Sequence, residues 1–294
     1  MLSGDRVDVR LFFRPLAAEG ATDADASWEQ GWRTLTRLEQ RDRAHLERAR
    51  GLGDLFRPRS RQAAFGLCLA ASVQPLTVGR VKVYFDTLAA GTERNRQVLA
   101  EALNRIGLGA AWSWLQEHDP AGMTHLMPAF FALDVDGSPD ARVKFYTTVA
   151  ERSASQLAAR LAPFSDTARR TAAGFLENTA VDAAEALAQP GVRPTLCWSM
   201  TARCHHRPVD ATLYLPFNQY APEGGQTLGR LRKTLAPRHF RAIERLVTRH
   251  AAVVPPNEPE NPFHWAATKL VRDRESLTLY ISAAAVDAAR TAGH

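Results

Sequence analysis

The stretch Arg142-Val143-Lys144-Phe145-Tyr146 decides how this 294-residue chain is read. Side chains alternate across a β-strand, so Arg142, Lys144 and Tyr146 share one face while Val143 and Phe145 share the other. The same order, basic-x-basic-x-aromatic, stands at Arg80-Val81-Lys82-Val83-Tyr84. Two later stretches, Ala211-Thr212-Leu213-Tyr214 and Leu277-Thr278-Leu279-Tyr280, put a tyrosine at the matching end. The polar faces line something, and the apolar faces require a cover other than water. A barrel with a cationic, tyrosine-rich interior and a coat of helices meets both demands.

Working outward, each tyrosine strand follows another β-rich run. Phe65 to Val73 precedes Arg80 to Phe85, and Met127 to Val135 precedes Ala141 to Thr148 around the turn Asp136-Gly137-Ser138-Pro139. Thr195 to Arg203 and Ala211 to Pro216 flank Cys204-His205-His206-Arg207-Pro208, and His264 to Val271 precedes Ser276 to Ser282. Apolar spacing predicts a helix over 26–49, carried by Trp28, Trp32, Leu35, Leu38 and Leu46. Further helices are expected over 93–106, 110–117, 150–161, 165–187, 228–235 and 237–250, with a short alanine-rich helix at the end. The lone run from Val7 to Arg14 adds one strand. Only six residues precede it, so the strand that would complete its hairpin is expected to be missing. With no linker dividing the chain, the expectation is a single α+β domain over 1–294. It would be an antiparallel β-barrel of about nine or ten strands, built from αββα repeats and ringed by helices.

Composition narrows the partners. Hydrophobic residues at 45% and charged residues at 23% are ordinary for a globular chain. No apolar run approaches the roughly 20 residues of a bilayer span, and Met1-Leu2-Ser3-Gly4-Asp5-Arg6 lacks an apolar leader, so a cytoplasmic protein with no membrane partner is expected. Cys68, Cys197 and Cys204 are too few and scattered for a disulfide framework. The net charge of +6 permits an anionic partner. Arg37, Arg41 and Arg43 are interleaved with acids, which marks a solvated helix face and not a nucleic-acid arm. Cys204-His205-His206 lacks metal-ligand spacing, and there is neither a Walker-type loop nor an Asp-Asp-x-x-Asp run, so no metal is expected. Trp28, Trp32, Trp112, Trp114 and Trp198 read as packing residues.

Cations lining a barrel are costly to bury unless something anionic meets them. Arg forks and Lys ammonium groups suit a diphosphate. Tyrosine rings supply the complementary half: their π-faces stabilise a desolvated cation by about 2 kcal/mol and keep water from quenching it.

On the second strands of successive hairpins, Lys82-Val83-Tyr84, Arg142 to Tyr146, Leu213-Tyr214-Leu215-Pro216 and Leu277 to Tyr280 resemble the aromatic prenyltransferases of the dimethylallyltryptophan synthase type. The resemblance spans nearly the whole chain and implies the αββα prenyltransferase barrel. It implies transfer of a dimethylallyl or longer prenyl group from its diphosphate to an electron-rich aromatic ring by Friedel–Crafts-type substitution, with no Mg²⁺ or other cofactor required. An indole or tryptophan-derived acceptor is favoured, with phenolic and other heteroaromatic rings as alternatives. By position, the resemblance makes Arg10, Lys82, Arg142 and Lys144 the diphosphate cations, and Lys269 is added because it alternates with Trp265 and Ala267 on one strand face. Tyr84, Tyr146, Tyr214 and Tyr280 become the shield around the allyl cation, and Trp265 an aromatic wall of the pocket. Thr212 departs from the glutamine or basic residue common at its place. The glutamate that orients the indole from the first barrel strand in tryptophan-modifying members has no expected counterpart here. The implied partners are small-molecule substrates alone. A barrel that binds an anionic metabolite without turning it over is the reading from another class.

Overall fold

The structure is a computed structural model that describes residues 2–3, 6–7, 9–15, 23–41, 44–74, 77–118, 126–151, 153–161, 165–179, 193–216, 224–235, 237–251, 263–270 and 277–281. The first half of the chain runs β1 (Leu2–Ser3), β2 (Arg6–Val7), β3 (Val9–Phe13), α1 (Ala24–Glu39), α2 (Glu47–Arg50), α3 (Gly53–Phe56), β4 (Leu67–Gln74), β5 (Thr77–Asp86), α4 (Asn95–Arg105), α5 (Gly109–His118), β6 (Leu126–Asp134) and β7 (Val143–Val149). It continues with α6 (Ala154–Arg160), α7 (Asp166–Thr179), β8 (Thr195–Met200), β9 (Asp210–Leu215), α8 (Gly224–Thr234), α9 (Pro237–Ala251), β10 (Phe263–Lys269) and β11 (Leu277–Ile281). These elements form two compact units, one of Asp8–Thr148 with Leu196–Ala211, the other of Met1–Val7, Val149–Thr195 and Thr212–His294.

In the first of these units, β3, β4, β5 and β6 pair antiparallel in that order. The alternation in the sequence decides which way each side chain goes. Val81, Val83 and Phe85 of β5, Phe131 and Leu133 of β6, and Val143 and Phe145 of β7 are all buried. Helices supply the cover: Phe85 stacks on Phe56 at 4.9 Å, Phe56 on Phe131 at 5.4 Å, and Phe145 meets the edge of Trp112 at 6.0 Å. The close approach of α1 to β4 depends on two glycines. A Cβ on Gly66 would lie 2.0 Å from the Ala24 carbonyl oxygen, and one on Gly31 2.6 Å from the Leu67 side chain. The same contact is fixed by Gly66 N–H donating to Ser27 Oγ at 2.7 Å. Asp86 closes β5, its carboxylate accepting from the N–H groups of Ala64 and Leu88 at 2.7 and 2.8 Å.

In the other unit, β9, β10 and β11 pair antiparallel, and Leu2 stands opposite both Leu277 of β11 and Val7 of β2. Leu213, Leu215, Ala266 and Leu277 are buried. Leu157, Leu176, Leu231, Phe240 and Ile243 bury the inner faces of α6 to α9.

Three expectations are corrected. The run from Val7 to Arg14 is two pieces, β2 and β3, and the strand expected to be missing before it is present as Leu2–Ser3, held by β11. The nine expected strands are β3 to β11, and the two-residue strands Leu2–Ser3 and Arg6–Val7 bring the described residues to eleven. The helix expected over 26–49 ends at Glu39 and resumes only as α2. From Glu39 to Arg43 the sequence offers no apolar residue to hold a helical face on the core, so α1 stops where its buried stripe stops. The strand expected to reach Arg203 ends at Met200, followed by a bridge between Thr201 and Cys204. The continuation of α7 to residue 187 and the C-terminal alanine-rich helix lie outside the described residues.

Candidate active site

Strand register assembles the cationic half of the site. Lys82 of β5 stands directly opposite Ala70 of β4 and Asp134 of β6, while Tyr84 stands opposite Cys68 and Ala132. Asp134 N–H donates to the Arg142 carbonyl at 2.8 Å, which sets Arg142 across the hairpin from Asp134. One carboxylate thus meets two cations. Arg142 donates to Asp134 Oδ2 from its backbone N–H at 3.2 Å and from Nε at 3.0 Å. Lys82 Nζ lies 3.0 Å from Oδ1, a charge contact without hydrogen-bond alignment. Asp134 is 2% exposed. Lys144, on the same face as Arg142, is 8% exposed and makes no ion pair among the described residues.

Burial and mutual charge shift these groups in opposite senses. Burial, then the neighbouring Lys144, pushes Lys82 down to about 7, with Asp134 acting against both. Burial raises Asp134, but the charges of Lys82 and Arg142 outweigh it and hold the carboxyl below its usual range. Arg142 is disfavoured by burial and held above its ordinary value by Asp134. Two basic groups thus share one carboxylate, and Lys82 is half-protonated near pH 7.

An aromatic chain lies beside it on the same face. Tyr84 and Tyr146 are 6.0 Å apart between ring centroids, Phe12 meets Tyr84 edge-on at 5.1 Å, and Phe130 meets Tyr146 edge-on at 6.0 Å. Tyr146 is buried and Tyr84 partly so. Cys68, opposite Tyr84, carries a thiol pushed up to about 12 by burial, so it is an unreactive wall.

The second unit presents a matching face of its own. Tyr214 stands opposite Ala267, Trp265 opposite Tyr280, and Lys269 opposite Thr212. The Tyr214 and Tyr280 rings are 5.9 Å apart, and Tyr280 OH donates to Tyr214 OH at 3.5 Å. Trp265, Lys269, Tyr214 and Tyr280 are all partly buried.

The residues expected from the sequence fall into two groups. Lys82, Arg142, Lys144, Tyr84 and Tyr146 converge on one face of the first unit, and Tyr214, Tyr280, Trp265 and Lys269 on one face of the other. Arg10 stands opposite Ser72 with an exposed side chain, two residues from Phe12. Arg80, which shares its strand face with Lys82, is half-exposed and turns to Asp136 at 3.6 Å. Cys204, His205 and His206 sit in the turn between β8 and β9, with both histidines exposed. Among the described residues there is no group of three or more His, Cys, Asp or Glu placed to hold a metal.

Sequence reasoning missed Asp134, Phe12 and Phe130. Asp134 reads as the end of a strand before a turn of acidic residues. Pairing the hairpin about Asp136-Gly137 would have put it opposite Arg142, which is the signal that was available.

Antiparallel hairpins alternate with helices, with apolar strand faces under the helices, and comparison with solved structures shows the fold of the αββα prenyltransferase barrel. One similar structure is the prenyltransferase PriB in ternary complex with L-tryptophan and dimethylallyl thiolodiphosphate, at 23% identity and a TM-score of 0.79 over 97% of this chain and 78% of that one. A second is 6-dimethylallyltryptophan synthase from Micromonospora olivasterospora, at 21% identity and a TM-score of 0.78 over 97% and 80%. A third is 5-dimethylallyl tryptophan synthase from Streptomyces coelicolor, at 25% identity and a TM-score of 0.73 over 94% and 78%. No protein-family model matches the chain, and no curated protein matches it in sequence.

Proposed function

We propose that this chain is an aromatic prenyltransferase that moves a dimethylallyl group from its diphosphate to the ring of an indole, tryptophan or a tryptophan-derived compound being the acceptor. The observation that carries the reading is the face shared by Lys82, Arg142, Lys144, Tyr84 and Tyr146, in a fold whose similar structures bind tryptophan and a dimethylallyl thiolodiphosphate. Residues 1–294 act as one barrel domain in this reading, supported by single structural matches that cover 97% of the chain.

The chemistry follows from the two halves of the face. Lys82, Arg142 and Lys144, with Arg10 and Lys269 as further contributors, take the diphosphate oxygens. The allylic C–O bond breaks heterolytically, and its electron pair leaves with the diphosphate, whose growing charge these preset cations stabilise more than they stabilise the bound substrate. Tyr84, Tyr146, Tyr214 and Tyr280 hold the allyl cation by their π-faces and exclude water, with Trp265 forming a wall for the acceptor. A ring carbon then attacks, and loss of its proton to a base restores aromaticity. Binding of the diphosphate by side chains alone makes Mg²⁺ unnecessary.

The test is incubation with dimethylallyl diphosphate and a panel of indoles and phenols in EDTA, followed by mass spectrometry. A product one prenyl unit heavier, formed in EDTA and with indoles ahead of phenols, is expected. Diphosphate binding without product from any aromatic acceptor would leave a metabolite-binding barrel and no transferase.

A further inference from the structure

We infer that Asp134 is a positioning residue for prenyl-diphosphate capture: it holds Lys82 and Arg142 together and keeps the Lys82 ammonium charged, so it sets the pH above which the site stops taking its diphosphate. The inference rests on the prenyl-transfer reading above and adds a residue to it. Its footing is geometric. Asp134 is the direct cross-strand neighbour of Lys82 and, by two donated hydrogen bonds, the anchor of Arg142. Its side chain is fully shielded from water, whereas that of Lys82 retains 12% exposure. A carboxylate this buried is costly unless its cations stay with it, so the three groups move as one.

The charges around Lys82 are Asp134 from β6, Arg142 just before β7 and Lys144 from β7, while β4 contributes the neutral Ala70 opposite. From α2, Arg48 feels the charges of both Asp136 and Asp134. Among these groups Asp134 alone favours the charged form of Lys82. Two cations and burial act the other way. With the carboxylate replaced by a neutral amide of the same shape, none of these described groups opposes them. Lys82 then loses its proton at lower pH, and an arriving diphosphate must bring that proton in from solvent.

This is distinct from a packing role. A residue that only braced the hairpin would, when altered, weaken ligand binding by the same factor at every pH. Asp134 predicts a factor that grows with pH.

The experiment measures the affinity of dimethylallyl thiolodiphosphate, which does not ionise readily, by calorimetry from pH 6 to 9 on the full chain and on Asp134→Asn. Titration of the ligand itself is common to both proteins and cancels in their ratio. In the wild type, affinity is expected to fall above about pH 7. In Asp134→Asn the fall begins at least about one unit lower, so that near pH 8 the variant binds about tenfold or more weakly, while the two approach each other near pH 6. Asp134→Glu, which keeps the charge, should leave the wild-type midpoint in place. Parallel curves with a constant ratio would overturn the inference while leaving the prenyl-transfer reading standing. Absence of binding by the wild type at every pH would remove that reading, and this inference with it. Should Asp134→Asn fail to fold, the wild type labelled with ¹³C at aspartate carboxyls decides: the Asp134 resonance must step as Lys82 titrates near pH 7, and a resonance flat from pH 6 to 9 overturns the inference.

Discussion

Lys82 is a buried ammonium whose charge is conditional. Its pKa falls from 10.5 to about 7 on folding, so between those values the unfolded chain binds more protons than the folded one. The sign follows: stability from this group rises with pH through the window, by up to about 1.4 kcal/mol per unit, and its penalty is fully present below pH 7. The urea midpoint of the wild type, compared with that of Lys82→Met, should therefore gain on the variant from pH 7 to 9. A difference constant with pH would mean that Lys82 stays charged. Lys144 is expected to matter for chemistry more than for folding. Lys144→Ala removes a charge-assisted contact worth about 1.5–3 kcal/mol, or roughly ten- to a hundredfold in kcat/KM for the prenyl diphosphate. Arg33→Ala, on the exposed face of α1, should change kcat/KM by less than about twofold. Residue types and alternation made the cations legible in the sequence. The carboxylate that organises them was not, because its role exists only once β6 is in register with both β5 and β7.

At the scale of the element, each strand divides its labour between faces. Tyr84 and Phe85 are neighbours in sequence, yet one ring faces Tyr146 and the other stacks on Phe56. Tyr84→Phe keeps the π-face and should hold kcat within a few fold. Tyr84→Ala removes about 2 kcal/mol of cation stabilisation, roughly thirtyfold in kcat under single-turnover conditions. Phe85→Ala should instead cost about 3–5 kcal/mol of stability in denaturant unfolding. Gly66→Ala should also be severely destabilising, since its Cβ would lie 2.0 Å from a backbone oxygen that cannot yield. Alternation predicted which residues lie on each face, and the hairpin turns predicted the pairs. The break of the first long helix after Glu39 could be read only by noticing where its apolar stripe ends. The short strand Leu2–Ser3 depends on Leu277, far along the chain, and two residues carry no periodicity of their own.

For the whole molecule, the repeat of helix, strand, strand and helix was legible because each second strand carries the same tyrosine mark. The nine strands β3 to β11 were legible with it, whereas Arg6–Val7, split from the first run, was not. The proposed acceptor wall is written less plainly than the proposed diphosphate seat. Trp265 is one aromatic among many, and nothing in its spacing separates it from a packing residue, whereas paired basic residues recurring on the faces of two strands have no cheap structural use. Prenyl transfer by this chain requires the cationic and tyrosine-rich face to receive the prenyl diphosphate. A crystal structure with dimethylallyl thiolodiphosphate bound tests it most directly. The diphosphate oxygens should lie within hydrogen-bonding distance of Lys82, Arg142 and Lys144, with the allyl group against the rings of Tyr84 and Tyr146. A diphosphate held instead by arginines on the helices, with Lys144 left unengaged, would rule out that role for the face.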